Sequence, residues 1–517
     1  MRGAHGPAAS RRWAIRRTTR PNPLWNSNGV AFGPDGRLYV AEFLGGRISA
    51  VDVASGDVEV VVPPGGPVQS PDDLAFGPDG SMYLTDLVPG RVWQRTPAGE
   101  YRLVSGDVRV PNGITCVGER LFVNEMCVDG RLLELFPGGG EPVVLTGGLA
   151  MGNAMQLGPD GHLYYPHMLT GQVFRISPDG GAPEVVAEDV LEPVAVRFDL
   201  GGTLLVLSRG AAGVITRIGP SGGRTLVTTG IPGLDNAAFD AENRMFVSSF
   251  ASGGIAEVHP DGRTRPVVPQ GLAGPFGVAA DRSGTVFAAD HYRVVVTTGN
   301  DVVTRELRPF THGIAERDGH LHTTSQYGEV CTDGRKRVQG LDEPTGIAVR
   351  DDGTLVVAEN GAGRVVAVDG QDEVTVLAEG FGRPVDVALD GDQRCYVSDE
   401  SRGAVYRIDD GVPVPVVEGL DAPQGLAVRG DELFVLETGC GRLRAVDLAT
   451  GEVRTEAEDL PAQPPGSERP ALFAEGMPGV PHPFAGLAAG PDGALHVSAP
   501  AEGTVLRLER QGPPTVS

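Results

Sequence analysis

The sequence predicts an all-β chain of two tandem six-bladed β-propellers. Three observations carry that expectation: a recurring four-strand pattern, the placement of glycine at strand ends, and a loss of repeat regularity midway. The clearest unit is NGVAFGPDGRLYVAE (28–42), followed by GGRISAVD (45–52). At its centre Pro34 fixes φ, Asp35 tolerates a tight turn, and Gly36 supplies positive φ. The flanking runs at 30–32 and 38–40 are rich in β-branched and aromatic residues and too short for a stable helix. Turns at Gly45 and Gly46, then at Ser55 and Gly56, lead into further runs at 48–51 and 58–62. Four short strands in about 40 residues make one propeller blade.

With the residue before each first strand as a marker, the unit recurs twelve times. The markers are Asn28, Asp72, Asn112, Asn153, Val194, Asp235, Phe276, His312, Thr345, Val385, Gln424 and Ala485. The first six steps are 44, 40, 41, 41, 41 and 41 residues; the later ones are 36, 33, 40, 39 and 61. Propellers have typically four to eight blades, so twelve units divide into two rings. The expected domains are a basic flexible tail at 1–24, a first propeller at 25–274, and a second at 275–512. A Pro/Gly-rich excursion interrupts the second at 461–482, and the unit at His312 is short. A ring needs its last blade closed to its first, and the segment 13–18 is a candidate for that strand.

Composition narrows the function. The chain has 517 residues, beyond what one core supports. Its 75 glycines are roughly twice ordinary usage, without a triplet period, and read as turn residues. Net charge is −24, and residues 1–20 hold six arginines and no acid, so the remainder carries −30. A body this acidic repels phosphate backbones, and nucleic acid is not an expected partner. No apolar run approaches the roughly 20 residues that span a bilayer, and no apolar segment follows the basic start as in a secretory signal. Five cysteines without CxxC spacing fit reduced thiols. The expectation is a cytoplasmic protein with no membrane partner.

In a four-stranded blade the start of the first strand and the end of the second emerge on one face. The first ring's markers are Asn28, Asp72, Asn112, Asn153, Val194 and Asp235; five of six are Asn or Asp. These residues also favour strand starts, yet Phe276, Val385 and Ala485 serve the same position in the second ring. Convergent oxygen donors without sulfur suit one hard divalent metal, Ca²⁺ first, with Mg²⁺ and Mn²⁺ as alternatives. The candidate ligands are Asn28, Asp72, Asn112, Asn153 and Asp235. The second-strand ends add Glu42, Asp86, Glu125, His167, Arg209 and Ser249. Acids recur there in both rings, which points to structural bonds with turn N–H groups or with Arg47, Arg91, Arg131 and Arg364. His167 can move protons near neutrality, and Arg209 can clamp a carboxylate or oxyanion. With Asp72 they form the candidate catalytic set. Phe43, Leu87, Met126, Met168 and Phe250 follow as an apolar collar for a small organic substrate.

Pro111-Asn112-Gly113-Ile114 and Asp72-Asp73-Leu74, set in units of the form xGVAFGPDGxLYVAE…GRIxxVD, mark a family likeness. The chain resembles the senescence-marker-protein/gluconolactonase/luciferin-regenerating-enzyme group of six-bladed propellers, whose blade pattern NHL repeats share. The repeat similarity covers 25–510, and the site similarity only the first half. The resemblance implies one divalent metal held by a Glu, an Asn and an Asp, with an Asn-Asp pair on the substrate side. Asn112 matches the metal Asn, and Asp72-Asp73 match the substrate-side pair. Asn153 stands where the family has Asp; the Glu position falls to Asp235 in ring order or to Asn28 in chain order. Either way a family carboxylate is replaced and ligand charge falls. The implied activity is metal-assisted hydrolysis of a lactone or related ester, with an Asp or His167 taking the proton. Two alternatives stay open: C–O elimination on a cyclic ester, and a non-catalytic scaffold. The second ring, apolar at its axis, is the candidate surface for a protein partner.

Overall fold

The computed structural model describes residues 7–325, 327–463 and 484–511. The predicted excursion at 461–482 lies outside the described residues from 464 onward. The protein is all-β and built from four-stranded antiparallel sheets of the propeller type; among the described residues the one helical turn is Pro500–Glu502. No helix of the described residues is long and apolar enough to cross a membrane. The chain forms two compact units, Pro23–Gln270 and the combined residues 7–22, 271–463 and 484–511.

The first unit holds six sheets, each a meander in chain order. In the first sheet the strands are Val30–Phe32, Leu38–Glu42, Arg47–Val51 and Val58–Val62, joined at the Pro34-Asp35-Gly36 turn with Gly36 at φ 78°. The second strand is buried along its whole length because both faces pack on neighbouring sheets. Three of the packings share an edge-to-face ring pair: Tyr39–Phe76 (5.0 Å), Tyr164–Phe198 (4.8 Å) and Phe32–Phe246 (5.6 Å). First strands lie side by side from sheet to sheet, and the sixth, Leu234–Phe239, packs on Val30–Phe32, so the ring closes.

At the axis these strands converge and bond around the ring. Gly29 donates its N–H to the Asp72 carbonyl (2.7 Å) and Ala154 to that of Val194 (3.1 Å). The second unit repeats the contact from Gly277 to His312 (2.8 Å), Gly425 to Ala485 (3.1 Å) and Gly486 to Phe276 (3.0 Å). A Cβ on Gly277 or Gly425 would clash with the carbonyl oxygen that accepts this bond, which is why glycine recurs after the marker.

In the second unit one sheet has six strands: Val278–Ala280, Val286–Thr298, Asp301–Arg317, His320–Ser325, Glu329–Thr332 and Arg335–Val338. The short repeat at His312 has its cause here. Residues 301–307 pair outward with 293–298, and residues 311–317 continue without a turn to pair with 320–325. Two meanders therefore share one uninterrupted strand.

The N-terminal segment departs from the expected flexible tail. Trp13–Arg17 pairs antiparallel with Thr504–Arg510, and Ala8–Ala9 pairs with Val453–Glu458. The reason is an open edge: the strand Thr504–Arg510 follows only two others, Leu487–Ala489 and Leu495–Ala499, and its outer N–H and C=O groups need partners. Trp13 is buried edge-on to Phe434 (5.9 Å) and donates Nε1–H to Glu456 Oε2 (3.1 Å). Residues 7–22 accordingly belong with the second unit, which begins again at 271 instead of 275. Trp13→Ala should lower the stability of that unit by about 3–5 kcal/mol. Urea unfolding, with amide exchange on 504–510 as the local probe, checks this; an unchanged midpoint would show that the strand is dispensable.

Asp386 takes the place of the axial glycine in its strand. Its Oδ1 accepts the N–H of Val387 (2.9 Å) and its Oδ2 that of Leu426 (2.9 Å), linking two first strands by side chain. Burial pushes this carboxyl up to about 7, against the pull of the two N–H groups. The folded state then holds a proton that the unfolded chain releases near pH 4, so stability falls as pH rises from about 4 to about 7. Asp386→Asn should flatten that part of the stability–pH curve, as read from urea midpoints across the range.

Candidate functional site

The axial end of the first unit is built on Asp72, at the start of the strand Pro71–Phe76. The neighbouring sheets place an amide on each side of it. Asn28 Nδ2 donates to Asp72 Oδ1 (3.2 Å), and Asn112 Nδ2 donates to Asp72 Oδ2 (2.5 Å). All three side chains are buried. Two donated bonds orient the amides so that Asn28 Oδ1 and Asn112 Oδ1 remain, both buried and without a hydrogen-bond partner. Buried oxygens in that state are rare and call for an explanation. Ser248 Oγ also donates to the Asn28 carbonyl (2.5 Å), fixing that strand start from the sixth sheet.

The other predicted ligands divide. Asp235 starts its strand on the same ring, half-buried, and its charge acts on Asp72. Asn153 differs: its Oδ1 accepts the N–H of Ala154 (2.7 Å), so the oxygen that would face a metal is committed to its own backbone. Its Nδ2 lies 3.4 Å from Met126 Sδ, which also receives Asn112 Nδ2 at 3.1 Å. Among the described residues no three His, Cys, Asp or Glu converge as a metal site; the set here is one carboxylate with amide oxygens.

Asp73 corrects a reading implied by the family likeness. Its Oδ1 accepts from Leu74 N (2.9 Å) and Asn236 Nδ2 (3.0 Å), and its Oδ2 from Ile114 N (3.3 Å). That is a structural cross-tie that engages both carboxylate oxygens. Asn236 Oδ1 in turn accepts from Arg197 Nη2, while Arg197 also bonds the carbonyls of Ala237 (2.7 Å), Met155 (3.1 Å) and Val196 (2.8 Å). Sequence reasoning missed Asn236 and Arg197 because neither is a marker or a second-strand end. The available signals were Asp or Asn in place of the axial glycine and a lone cation within the apolar strand Pro193–Phe198.

Three acids thus act on one another at the axis. Burial, then Asp235 and Asp73, raise the Asp72 carboxyl well above the usual range. Burial raises Asp73 to about 6 despite Arg197 and its three hydrogen bonds. Burial and then Asp73 raise Asp235 to about 7, opposed by Arg209 and Arg197. Arg209 is half-buried, its Cζ 4.9 Å from the Phe250 ring centre and Nη1 3.5 Å from Met168 Sδ. Phe43, Leu87 and Met126 pack in one apolar cluster, as the collar requires, whereas Met168 packs with Val194 in another. His167 lies on the face of the fourth sheet against Phe174 (4.3 Å) and Tyr165 (5.7 Å). Burial lowers its imidazole to about 4, and Nε2 has no partner. The acids at the second-strand ends are structural: Glu42 pairs with Arg47 (2.8 Å), Glu125 with Arg131 (2.5 Å) and Glu359 with Arg364 (2.5 Å).

Arg197→Met should cost about 3–5 kcal/mol, because it leaves the Asp73 charge buried without its counter-charge. Adding Asp73→Asn should recover part of the loss in urea unfolding; additive losses would separate the two residues.

No family model matches the chain, and no curated protein matches it. Among solved structures it is similar to a streptogramin B lyase at 17% identity, over 55% of this chain and 96% of that one, with TM-score 0.40. It is similar to the calcium-binding protein regucalcin of Agrobacterium tumefaciens at 17%, over 46% and 85%, TM-score 0.37. A gluconolactonase of Xanthomonas campestris matches at 14%, over 48% and 93%, TM-score 0.39.

Proposed function

We propose that the first unit holds one divalent cation at its axis and hydrolyses a lactone or related ester of a small organic molecule. The observation that supports this most is the pair of buried, unpartnered amide oxygens of Asn28 and Asn112 beside the Asp72 carboxylate. One carboxylate with neutral carbonyl oxygens is a hard donor set of the kind Ca²⁺ accepts, with Mg²⁺ or Mn²⁺ as alternatives. Asn28, Asp72 and Asn112 would hold the cation, which supplies polarisation of a substrate carbonyl. Asn153, its oxygen committed, stays outside the set.

The remaining chemistry falls to the chain. Arg209, backed by Phe250, is placed to hold a substrate carboxylate or oxyanion at the mouth. Asp235, partly open to solvent, is the group suited to take a proton at its carboxylate oxygen and return it near neutrality. His167 is the weaker candidate, since its ring packs into an aromatic interface. Phe43, Leu87 and Met126 exclude water beside the reacting carbonyl.

Elemental analysis after equilibration with Ca²⁺, Mg²⁺ and Mn²⁺ tests the cation. Asn112→Asp should retain or tighten binding; Asn112→Leu should lose it while the ring still folds. Unchanged cation affinity in Asn112→Leu, with lower stability in chelator, would mean that the amide only braces Asp72. Activity is tested on a panel of lactones: a hydroxy-acid product supports hydrolysis, and an unsaturated acid would replace it with elimination.

A further inference from the structure

We infer that the interface between the fifth and sixth sheets of the first unit binds a small aromatic carboxylate. Three residues before the end of each second strand stands a ring in five of the six sheets: Tyr39, Tyr83, Phe122, Tyr164 and Phe246. The fifth sheet has Leu205 instead. At three interfaces the ring meets, edge to face, a Phe that ends the next sheet's first strand: Phe76, Phe198 or Phe32. Phe239 ends the sixth sheet's first strand in the same way, and the residue it meets is Leu205. One ring is missing from the pattern.

A crevice of about 150 Å³ opens there, lined by Leu205, Phe239, Ile215, Val227, Met245 and Val258. Apolar cavities of about that volume take up one benzene ring. Against Phe239 a ligand ring would restore the edge-to-face contact the other interfaces make internally.

The mouth selects the rest of the ligand. Its ionisable side chains are Asp199, Arg217, Arg244, Glu257 and His259. Glu257 pairs with Arg265 (2.7 Å), Arg244 with Asp240 (2.6 Å), and Asp199 Oδ1 accepts the N–H of Thr203 (2.8 Å). Arg217 donates only to the Pro260 carbonyl (3.0 Å), and among the described residues no carboxylate lies within ion-pair distance of it. In a chain of net charge −24, an arginine with no acid in ion-pair contact beside an open apolar slot is a cation left for a ligand's carboxylate.

The probes are phenylacetate, its neutral isostere phenylacetamide, and acetate, titrated calorimetrically in saturating chelator so that the axial site plays no part. Phenylacetate should bind saturably with Kd of about 1 mM or tighter, and each of the others about tenfold more weakly. Leu205→Phe should supply the missing ring, abolish binding and raise the thermal midpoint. Arg217→Met should weaken phenylacetate about tenfold and leave phenylacetamide unchanged, which keeps the test valid should Leu205→Phe fail to fold. No saturable binding at about 10 mM phenylacetate would reduce the crevice to a packing fault. Equal affinity for phenylacetate and phenylacetamide, or full binding by Leu205→Phe, would likewise overturn the proposal.

Discussion

The hydrogen bond from the N–H after one marker to the marker carbonyl of the next strand is the contact on which each unit depends. Sheets alone bury their faces but do not set the distance at which their inner edges meet. These axial bonds, as from Gly29 to Asp72 or Gly486 to Phe276, fix that distance at the narrowest point, where a Cβ has little room. They also decide where function can sit. The marker carbonyls face round the ring and the marker side chains remain at the axis, whatever they are. The first unit places Asn, Asp and Asn there in succession; the second places Phe276, Val385 and Phe484 in an apolar cluster.

Where the axial glycine is replaced, the replacement takes over its duty. Asp73 and Asp386 each accept the N–H of the next residue and one from the following strand, doing by side chain what other sheets do by backbone. Burying a carboxylate in this way is costly, and both carboxyls are displaced toward neutrality by burial. In the first unit the charge is balanced by Arg197, which reaches across from the fifth sheet. The site at Asp72 therefore rests on a second polar layer.

Much of this was legible in the sequence. The Pro-Asp-Gly turns and the alternation of short β-rich runs are local signals, and Gly36, Gly80 and Gly161 all adopt the positive φ those turns require. The place of Asn112 at a strand start was legible for the same reason, set between Pro111 and Gly113. Asn153 was not, because whether an amide oxygen faces the axis or its own backbone depends on a rotamer that no spacing encodes. For His167 only the place at a second-strand end was legible; that its ring packs on Phe174 and Tyr165 depends on contacts no spacing encodes. The N-terminal strand is legible only as a candidate for ring closure. What specifies it is a partner edge roughly 500 residues away, beyond any local window.

That last pairing bears on the order in which the protein can fold as it is made. Trp13–Arg17 leaves the ribosome long before Thr504–Arg510, and at usual elongation rates the interval is on the order of 25–100 s. All of Pro23–Gln270 is synthesised within it, and that unit contains every strand of its own ring. It can close while the earlier segment waits. During the wait Trp13 and Ile15 have no sheet to cover them, and the arginines interleaved with them at 11, 12, 16 and 17 keep this short apolar stretch in water. Their charge, which in the finished protein pairs Arg12 with Glu456, Arg16 with Glu509 and Arg17 with Glu502, then serves the nascent chain as well.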